Sequence, residues 1–225
     1  MSTEIDHIIV TAPTLEIGGA YVFERLGVYP QKGGEHARMG THNLLLSLGK
    51  SAYLEVMAIN PAAPKPAMPR WFGLDDLPAQ APARLHTWVA RTANLVATTQ
   101  ASVEPMRPIV PMSRGALNWL ITSPDTSPNT SRKGGTSPED GDATHGGLTP
   151  TLIEWQTDAH PASTLPDAGL VLTQLEFFTS EVPRIERQMK ALGLGAGWSA
   201  SAVAAGEPPG LRAHIQTSRG MRILG

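Results

Sequence analysis

An acidic side chain stands in the middle of an otherwise apolar stretch of the sequence. Residues 52–59 are predicted to form a strand in which Glu55 is the one charged residue. The period of two places these residues on one face: Tyr53, Glu55, Met57 and Ile59. Because a carboxylate is costly to desolvate without a partner, Glu55 is predicted to face a metal, a cation, a ligand pocket or a buried hydrogen-bond network. The alternative is an edge strand with Glu55 in water.

Two further residues could take part in the same chemistry. His7 lies in a predicted strand over residues 4–11, on the face opposite to Asp6, and Glu154 lies in another over residues 150–157. Imidazole nitrogens and carboxylate oxygens suit a divalent metal such as Zn, Ni, Mn or Fe, which polarises a bound carbonyl. We predict that His7, Glu55 and Glu154 converge in one cavity. Without a metal, Glu55 and Glu154 would be the catalytic general acid and base.

The predicted strands and helices that must position these residues occur in the same order twice along the chain. The first unit has strands at 4–11, 41–48 and 52–59, a helix capped by Thr14 and ended by Gly27, and a turn or short strand at 28–35. The second has strands at 85–92, 115–122 and 150–157, a helix at 93–102, and a broken edge strand or loop at 103–110. The predicted fold class is therefore α+β with paired βαβββ modules.

The domain organisation follows from the same pattern. The first module takes residues 1–60 and a proline-rich linker takes residues 61–84. The second module takes residues 85–160 and contains an insertion loop, 123–147, rich in Ser, Thr, Gly, Pro and Asp. Residues 168–225 are predicted to form a C-terminal partial module.

Several motifs carry a resemblance to a known family. These are DHIIV at residues 6–10, GTHNLLLSLG at 40–49, YLEVMAI at 53–59, WVART at 88–92, ALNWLI at 116–121 and TPTLIEW at 149–155. The pattern resembles the glyoxalase-like domain family of the vicinal-oxygen-chelate superfamily. The resemblance covers about residues 5–161 and implies paired βαβββ modules whose strands curl into a cup.

The resemblance also implies positions for metal ligands. In the superfamily the first strand of a module commonly offers a His and the last strand a Glu, which match His7 and Glu55 in the first module and Glu154 in the second. If Leu95 is aligned with Leu15, the remaining position falls on Thr87, and His86 lies one residue out of register. Because a slip of one residue reverses the face, the sequence leaves open whether His86 or Thr87 faces the cup.

Other polar and aromatic residues are expected near the mouth of the cup. The predicted substrate-binding residues are His36, Arg38, Asn43 and Trp155, with His36 and Arg38 suited to an anionic group. An alternative for Arg38 is a loop-stabilising hydrogen bond. His145 and His160 stand beside turn residues and are expected to be exposed.

Composition narrows the partners and the location. The net charge of −2 without a basic block argues against a nucleic-acid partner, and no apolar run is long enough to span a membrane. There is no cysteine, so thiol chemistry is excluded. We expect a cytoplasmic protein with a small-molecule ligand or substrate, no organic cofactor, and a homodimer as its oligomeric form.

Three functional hypotheses remain. The first is a glyoxalase-like enzyme, a lyase, isomerase or dioxygenase, that acts on a substrate with adjacent oxygens, with or without a metal. The second is a non-catalytic cup that binds a small ligand, as resistance proteins of the superfamily do. The third is a scaffold whose cup is filled by side chains. The fold cannot choose among them because it supports many chemistries.

Overall fold

The structure is a computed structural model that describes residues 2–123, 147–204 and 206–225. Of the predicted insertion at 123–147, only the two end residues lie within the described residues. The first half of the chain forms β1 (Thr3–Thr11), α1 (Leu15–Leu26), β2 (Gln31–His36), β3 (Thr41–Ser47) and β4 (Tyr53–Ile59). A short 3₁₀ helix, Trp71–Asp76, follows in the segment that was predicted to be a linker.

The second half repeats this order. It forms β5 (Arg84–Thr92), α2 (Leu95–Ala101), β6 (Ile109–Arg114), β7 (Leu117–Thr122) and β8 (Thr151–Trp155). Strand β6 lies later in the chain than the broken strand predicted at 103–110, and it forms an edge of the sheet, where Pro111 is tolerated.

These eight strands form one strongly curled sheet in the order β2-β3-β4-β1-β5-β8-β7-β6. Its centre joins the two halves: β1 pairs in parallel with β4 and antiparallel with β5. The curl brings the two outer strands together, since Arg114 of β6 reaches His36 of β2 with 3.1 Å between NH1 and Nε2. The predicted α+β class with paired βαβββ modules in a cup is confirmed.

The C-terminal part forms a second sheet. After a short helix, α3 (Pro161–Thr164), come β9 (Val171–Thr179), α4 (Val182–Ala191), β10 (Trp198–Ala202), β11 (Gly210–Thr217) and β12 (Gly220–Leu224). The strand order is β10-β9-β11-β12, so the first strand pairs with the second and third and not with the last. The unit therefore resembles the modules only in part. Three strands, β10 to β12, follow its helix α4.

The two faces of the larger sheet bury different side chains. The convex face contributes Ile8, Val10, Leu54, Val56 and Trp88 to a large apolar core shared with the helices and the second sheet. The concave face carries a smaller cluster that includes Ile9, Met57, Trp71, Trp119 and Ile153. No helix in the described ranges has the length and apolar character that a membrane crossing requires.

Helix α1 lies against β4 at a glycine. Thr14 caps the helix by accepting a hydrogen bond from the Ile17 amide, and Gly27 ends it in a left-handed conformation, as predicted. A Cβ atom on Gly18 would lie 2.3 Å from Cγ1 of Val56, well inside van der Waals contact. Gly18 is thus required for the close approach of helix and sheet, although glycine lowers helix propensity.

We expect the Gly18→Ala substitution to lower the free energy of unfolding by about 1–3 kcal/mol, because the new methyl group forces α1 away from β4. The matched control is Gly19→Ala, one residue along the same helix. A Cβ atom there would meet the ring of Tyr29, which is 51% exposed and free to turn away. Urea unfolding of both variants measures the difference; equal stabilities would contradict the close-approach argument.

Candidate functional site

Glu55 lies on the concave face of the larger sheet and is only 6% exposed. Its Oε1 accepts a hydrogen bond from Nδ2 of Asn43 on the neighbouring strand. Oδ1 of Asn43 in turn accepts from the Gly34 amide at 2.6 Å, which determines the orientation of the Asn43 amide. The Glu55 carboxylate is therefore held in place by a chain of hydrogen bonds that begins at the backbone of β2.

His7 connects Glu55 to a second carboxylate. Its Nε2 lies 3.4 Å from Oε2 of Glu55, and its Nδ1 lies 2.6 Å from Oδ1 of Asp6. Ionised Asp6 can only accept, so Nδ1 carries a proton. Nε2 and Oε2 would repel each other if both lacked a proton, so the stable arrangement has one proton between them. This is the geometry of a group ready to give or take a proton.

Asp6 is fully buried and accepts from several donors. Besides His7, its Oδ2 lies 3.0 Å from Nε1 of Trp155 and 2.8 Å from Nε2 of His160. Burial by itself raises the pKa of Asp6, but the hydrogen bonds from His160 and His7 outweigh it and hold the pKa well below its usual range. Asp6 is thus the anion that positions the imidazole of His7.

The position of Asp6 corrects two predictions. Strict alternation placed it on the face opposite to His7, but a register shift between Ile5 and His7 interrupts the pairing of β1 with β5. This irregularity brings Asp6 beside the ring of His7. His160, predicted to be exposed, has only 17% of its side chain exposed because it packs against this carboxylate.

His36 and Arg114 form the other polar part of the site. Nδ1 of His36 lies 3.1 Å from Oγ1 of Thr41, and its Nε2 lies 3.1 Å from NH1 of Arg114. A guanidinium group only donates, so Nε2 accepts and the imidazole is neutral. Burial lowers the pKa of His36 to about 4, with Arg114 acting in the same direction against the opposing charge of Glu55. His36 is therefore neutral at physiological pH.

Polar groups and a mostly apolar wall together enclose one pocket. The space between the side chains is about 480 Å³, including the part open to solvent. Five of the polar lining residues have been described above, and Tyr53 stacks on the ring of His7 with 4.5 Å between centroids. The wall is made by Ile9, Leu45, Met57, Trp71, Phe72, Val89, Trp119, Ile121, Ile153 and Trp155.

Glu154 does not join this site. In β8 the neighbours Ile153 and Trp155 line the pocket, so Glu154 faces the other side of the sheet. There its Oε2 accepts from the Leu95 amide at 2.7 Å, at the beginning of α2. A carboxylate at a helix N-terminus is stabilised by the unpaired amides and the helix dipole. The predicted convergence of His7, Glu55 and Glu154 is therefore wrong for Glu154.

Three other candidate residues also lie away from the pocket lining. His86 packs edge-on against Phe72, with 6.2 Å between ring centroids, and its Nδ1 lies 3.1 Å from NH2 of Arg84. The Thr87 hydroxyl donates to the Gly147 carbonyl oxygen at 3.2 Å. Arg38 is exposed and reaches the Pro111 carbonyl oxygen at 3.4 Å, which is the loop-stabilising alternative. Neither His86 nor Thr87 therefore lines the pocket that contains Glu55.

The donors at the site do not fit the divalent metal that the resemblance implies. Within the described ranges, no group of three or more His, Asp or Glu side chains is arranged to hold a metal ion. His36 has its Nε2 lone pair occupied by the Arg114 guanidinium, which would also repel a cation. The two strands of the second module that would carry ligands, β5 and β8, line the pocket with the apolar residues Val89 and Ile153.

Two residues of the site were missed by the sequence analysis. Asp6 was assigned to the wrong face, and Arg114 was not considered at all. The one local sign at Arg114 is a cation directly before Gly115, at the turn between two strands. That sign is weak, because such residues are usually solvent-exposed.

Comparisons with known proteins agree with this architecture. A hypothetical protein from Staphylococcus aureus superposes with a TM-score of 0.58 at 11% identity, covering 90% of this chain and 87% of that one. A methylmalonyl-CoA epimerase from Mycobacterium tuberculosis gives 0.38 at 11% identity, covering 67% of this chain and 85% of its own. The first likeness, at 11% identity, concerns the fold alone, and the second, with a TM-score below 0.5, supports no conclusion about this chain. None of the curated proteins matches the chain significantly.

The family assignment comes from the sequence. The model of the family described as "Glyoxalase-like domain" matches residues 5–193, which includes both modules and the strands that carry His7, Asn43 and Glu55. With most of its length matched and a curled eight-stranded sheet of paired βαβββ modules, the chain belongs to the glyoxalase-like domain family.

Proposed function

We propose that the protein is a small-molecule enzyme of the isomerase or lyase type that moves a proton at a carbon next to a carbonyl group. The observation that carries this proposal is the Glu55 carboxylate, buried in a pocket with a mostly apolar wall and facing His7 Nε2 across 3.4 Å. A carboxylate held in this way can act as a general base on a bound substrate.

Each polar residue has a distinct role in the proposed reaction. Glu55 takes the proton from carbon, and the electron pair of the broken C–H bond moves into the carbonyl to give an enolate. While Glu55 is the base, the proton of the His7–Glu55 pair is on Nε2 of His7, which can donate it to the enolate, and Asp6 keeps the other proton on Nδ1. Asn43 fixes the plane of the Glu55 carboxylate. Return of the proton to another position completes an isomerisation, and loss of a leaving group completes an elimination.

No step of this proposal passes through a metal. The residue types and the resemblance both predict a divalent ion, and the resemblance adds dioxygenase chemistry, but the donors around Glu55 do not support the ion. Metal analysis of protein purified without added metal or chelator tests this point. A stoichiometric ion lost in Glu55→Gln would favour the metal-assisted alternative.

Exchange of carbon-bound hydrogen for deuterium tests the proton transfer directly. Phenylpyruvate is a suitable probe, since it has adjacent oxygens and acidic C–H bonds. The neutral ketone phenylacetone is the second probe. Proton NMR in D₂O should show faster exchange with the protein than in the same buffer without it. Glu55→Gln should reduce the enzymatic rate by about 10²–10⁴-fold, the usual contribution of a general base.

The matched control is Glu154→Gln, the same substitution at the glutamate that faces α2. It should exchange at the wild-type rate. Equal rates for wild type and Glu55→Gln would contradict the proposal. Binding of a probe without any exchange would instead support the second hypothesis, a non-catalytic ligand-binding cup.

The other expectations remain predictions. A cytoplasmic location, a homodimer and the boundaries 1–60, 61–84, 85–160 and 168–225 have independent tests in cell fractionation, sedimentation and limited proteolysis. The proposed chemistry depends on none of them, because every residue that it uses lies in the described part of one chain.

A further inference from the structure

Arg114 carries a positive charge into the pocket and forms no ion pair with a carboxylate of the described residues. The side chain leaves the end of β6, is half-buried and lines the pocket. Among the described residues, the ion pairs of Glu55 are with His7 and His36, and none involves Arg114. The guanidinium uses one N–H on His36, which leaves further donors of its planar fork available to a ligand.

The fold makes room for this side chain. Strand β2 contains Gly33 and Gly34, where a register shift interrupts its pairing with β3. A Cβ atom on Gly34 would lie 3.1 Å from Cδ and 3.3 Å from Nε of Arg114, and one on Gly33 would lie 2.1 Å from Oδ1 of Asn43. The two glycines therefore let Asn43 and Arg114 approach the same strand.

The Arg114 guanidinium favours an anionic ligand group at its end of the pocket. Buried His36 beside Arg114 is neutral, so it does not compete as a cation and it keeps the guanidinium oriented. The fork of a guanidinium matches the two oxygens of a carboxylate. A carboxylate held here would bring the rest of the molecule into the same pocket as Glu55.

The rest of the pocket favours an aromatic group. Trp119 and Trp155 lie side by side with 5.5 Å between ring centroids, and Phe72 stacks on Trp71 at 5.9 Å. All four rings line the pocket. We propose that Arg114 and these rings form a subsite for a small aromatic carboxylate, which is the substrate class of the enzyme. The inference rests on the proposed function for the pocket, but its binding test does not require turnover.

The experiment compares phenylacetate with phenylacetamide, which has nearly the same shape and no charge. Calorimetric titration at neutral pH should show that the wild type prefers phenylacetate. Arg114→Gln should weaken phenylacetate binding by about 10–100-fold, since a hydrogen bond to a charged group is lost. It should leave phenylacetamide binding unchanged. Arg114→Lys keeps the charge but not the fork, so its affinity for phenylacetate should lie between those of the wild type and Arg114→Gln.

The matched control is Arg38→Gln, which removes an exposed positive charge that is not part of the pocket lining. It should keep the wild-type preference. Lack of phenylacetate binding, equal affinity for acid and amide, or an equal loss in Arg38→Gln would each overturn the subsite. An unchanged melting temperature and unchanged phenylacetamide binding separate the effect from misfolding.

The two proposals can fail separately. Glu55→Gln should abolish deuterium exchange while it keeps the preference for phenylacetate. A lost preference in Arg114→Gln without exchange by the wild type would retain the subsite and reject the enzyme. Exchange that depends on Glu55, together with a preference that survives Arg114→Gln, would retain the enzyme and reject the subsite.

Discussion

Replacing Asp6 with Asn should destabilise the protein by about 3 kcal/mol or more, as expected when one partner of a buried charged network is removed. The carboxylate accepts from His7, Trp155 and His160 and has no exposed surface. An amide offers one oxygen and turns an NH₂ group toward the remaining donors. At least one buried donor then lacks an acceptor, and urea unfolding at neutral pH measures the loss.

The pH dependence of stability distinguishes the contribution of Asp6 from that of His36. Burial lowers the pKa of His36 to about 4, below its unfolded value. The wild type and Asp6→Asn should therefore both lose stability as the pH falls from about 6.5 to 4. The hydrogen bonds of Asp6 hold its pKa below the unfolded value of about 3.9, so its contribution is present above that pH and is lost below it. Wild type should therefore keep losing stability below about pH 4 by a term that Asp6→Asn lacks.

The control is a carboxylate–imidazole pair outside the site. Glu176 Oε2 lies 2.9 Å from Nε2 of His214 in the second sheet, where both side chains retain solvent contact. Glu176→Gln should cost about 1 kcal/mol or less, as for an exposed ion pair. A similar small loss in Asp6→Asn would mean that Asp6 does not organise His7.

Truncation of Trp88 to Ala should cost about 3–5 kcal/mol, the usual effect of removing a buried aromatic ring. Trp88 is fully buried on the convex face, and its ring lies 5.5 Å from that of Phe177 in the second sheet. Its Nε1 donates to the Leu148 carbonyl oxygen at 3.0 Å. This side chain therefore joins the larger sheet to the C-terminal sheet and to the chain just before β8.

Two further substitutions separate the contributions of the Trp88 ring and of its hydrogen bond to stability. Trp88→Phe keeps a ring but leaves the Leu148 carbonyl unpaired, so it should cost about 1–3 kcal/mol. Trp198 also faces Phe177, at 5.9 Å, but is only half-buried, so Trp198→Ala should cost less than Trp88→Ala. Thermal unfolding of the three variants gives the order. Two separate transitions in Trp88→Ala would show that the two sheets unfold independently without this contact.

Local pattern in the sequence determined a large part of this molecule. Alternation of apolar residues predicts β3 and an apolar run predicts β4, and the period of two places Glu55 on the face of Tyr53 and Met57. Thr14 and Gly27 define the ends of α1 through capping and a left-handed terminus. These features depend on contacts between near neighbours in the chain, so they can be inferred without knowledge of the fold.

Only the tertiary structure decided which side chains meet at Glu55. The irregularity at Asp6 depends on how β1 and β5 pair, and a shift of one residue changes the face of a side chain. Glu154 lies on the convex face because its neighbours Ile153 and Trp155 take the concave face. Arg114 reaches His36 because the sheet curls until its two outer strands are neighbours, 78 residues apart in sequence. Curvature and register arise from long-range packing of the whole sheet, which no local pattern specifies.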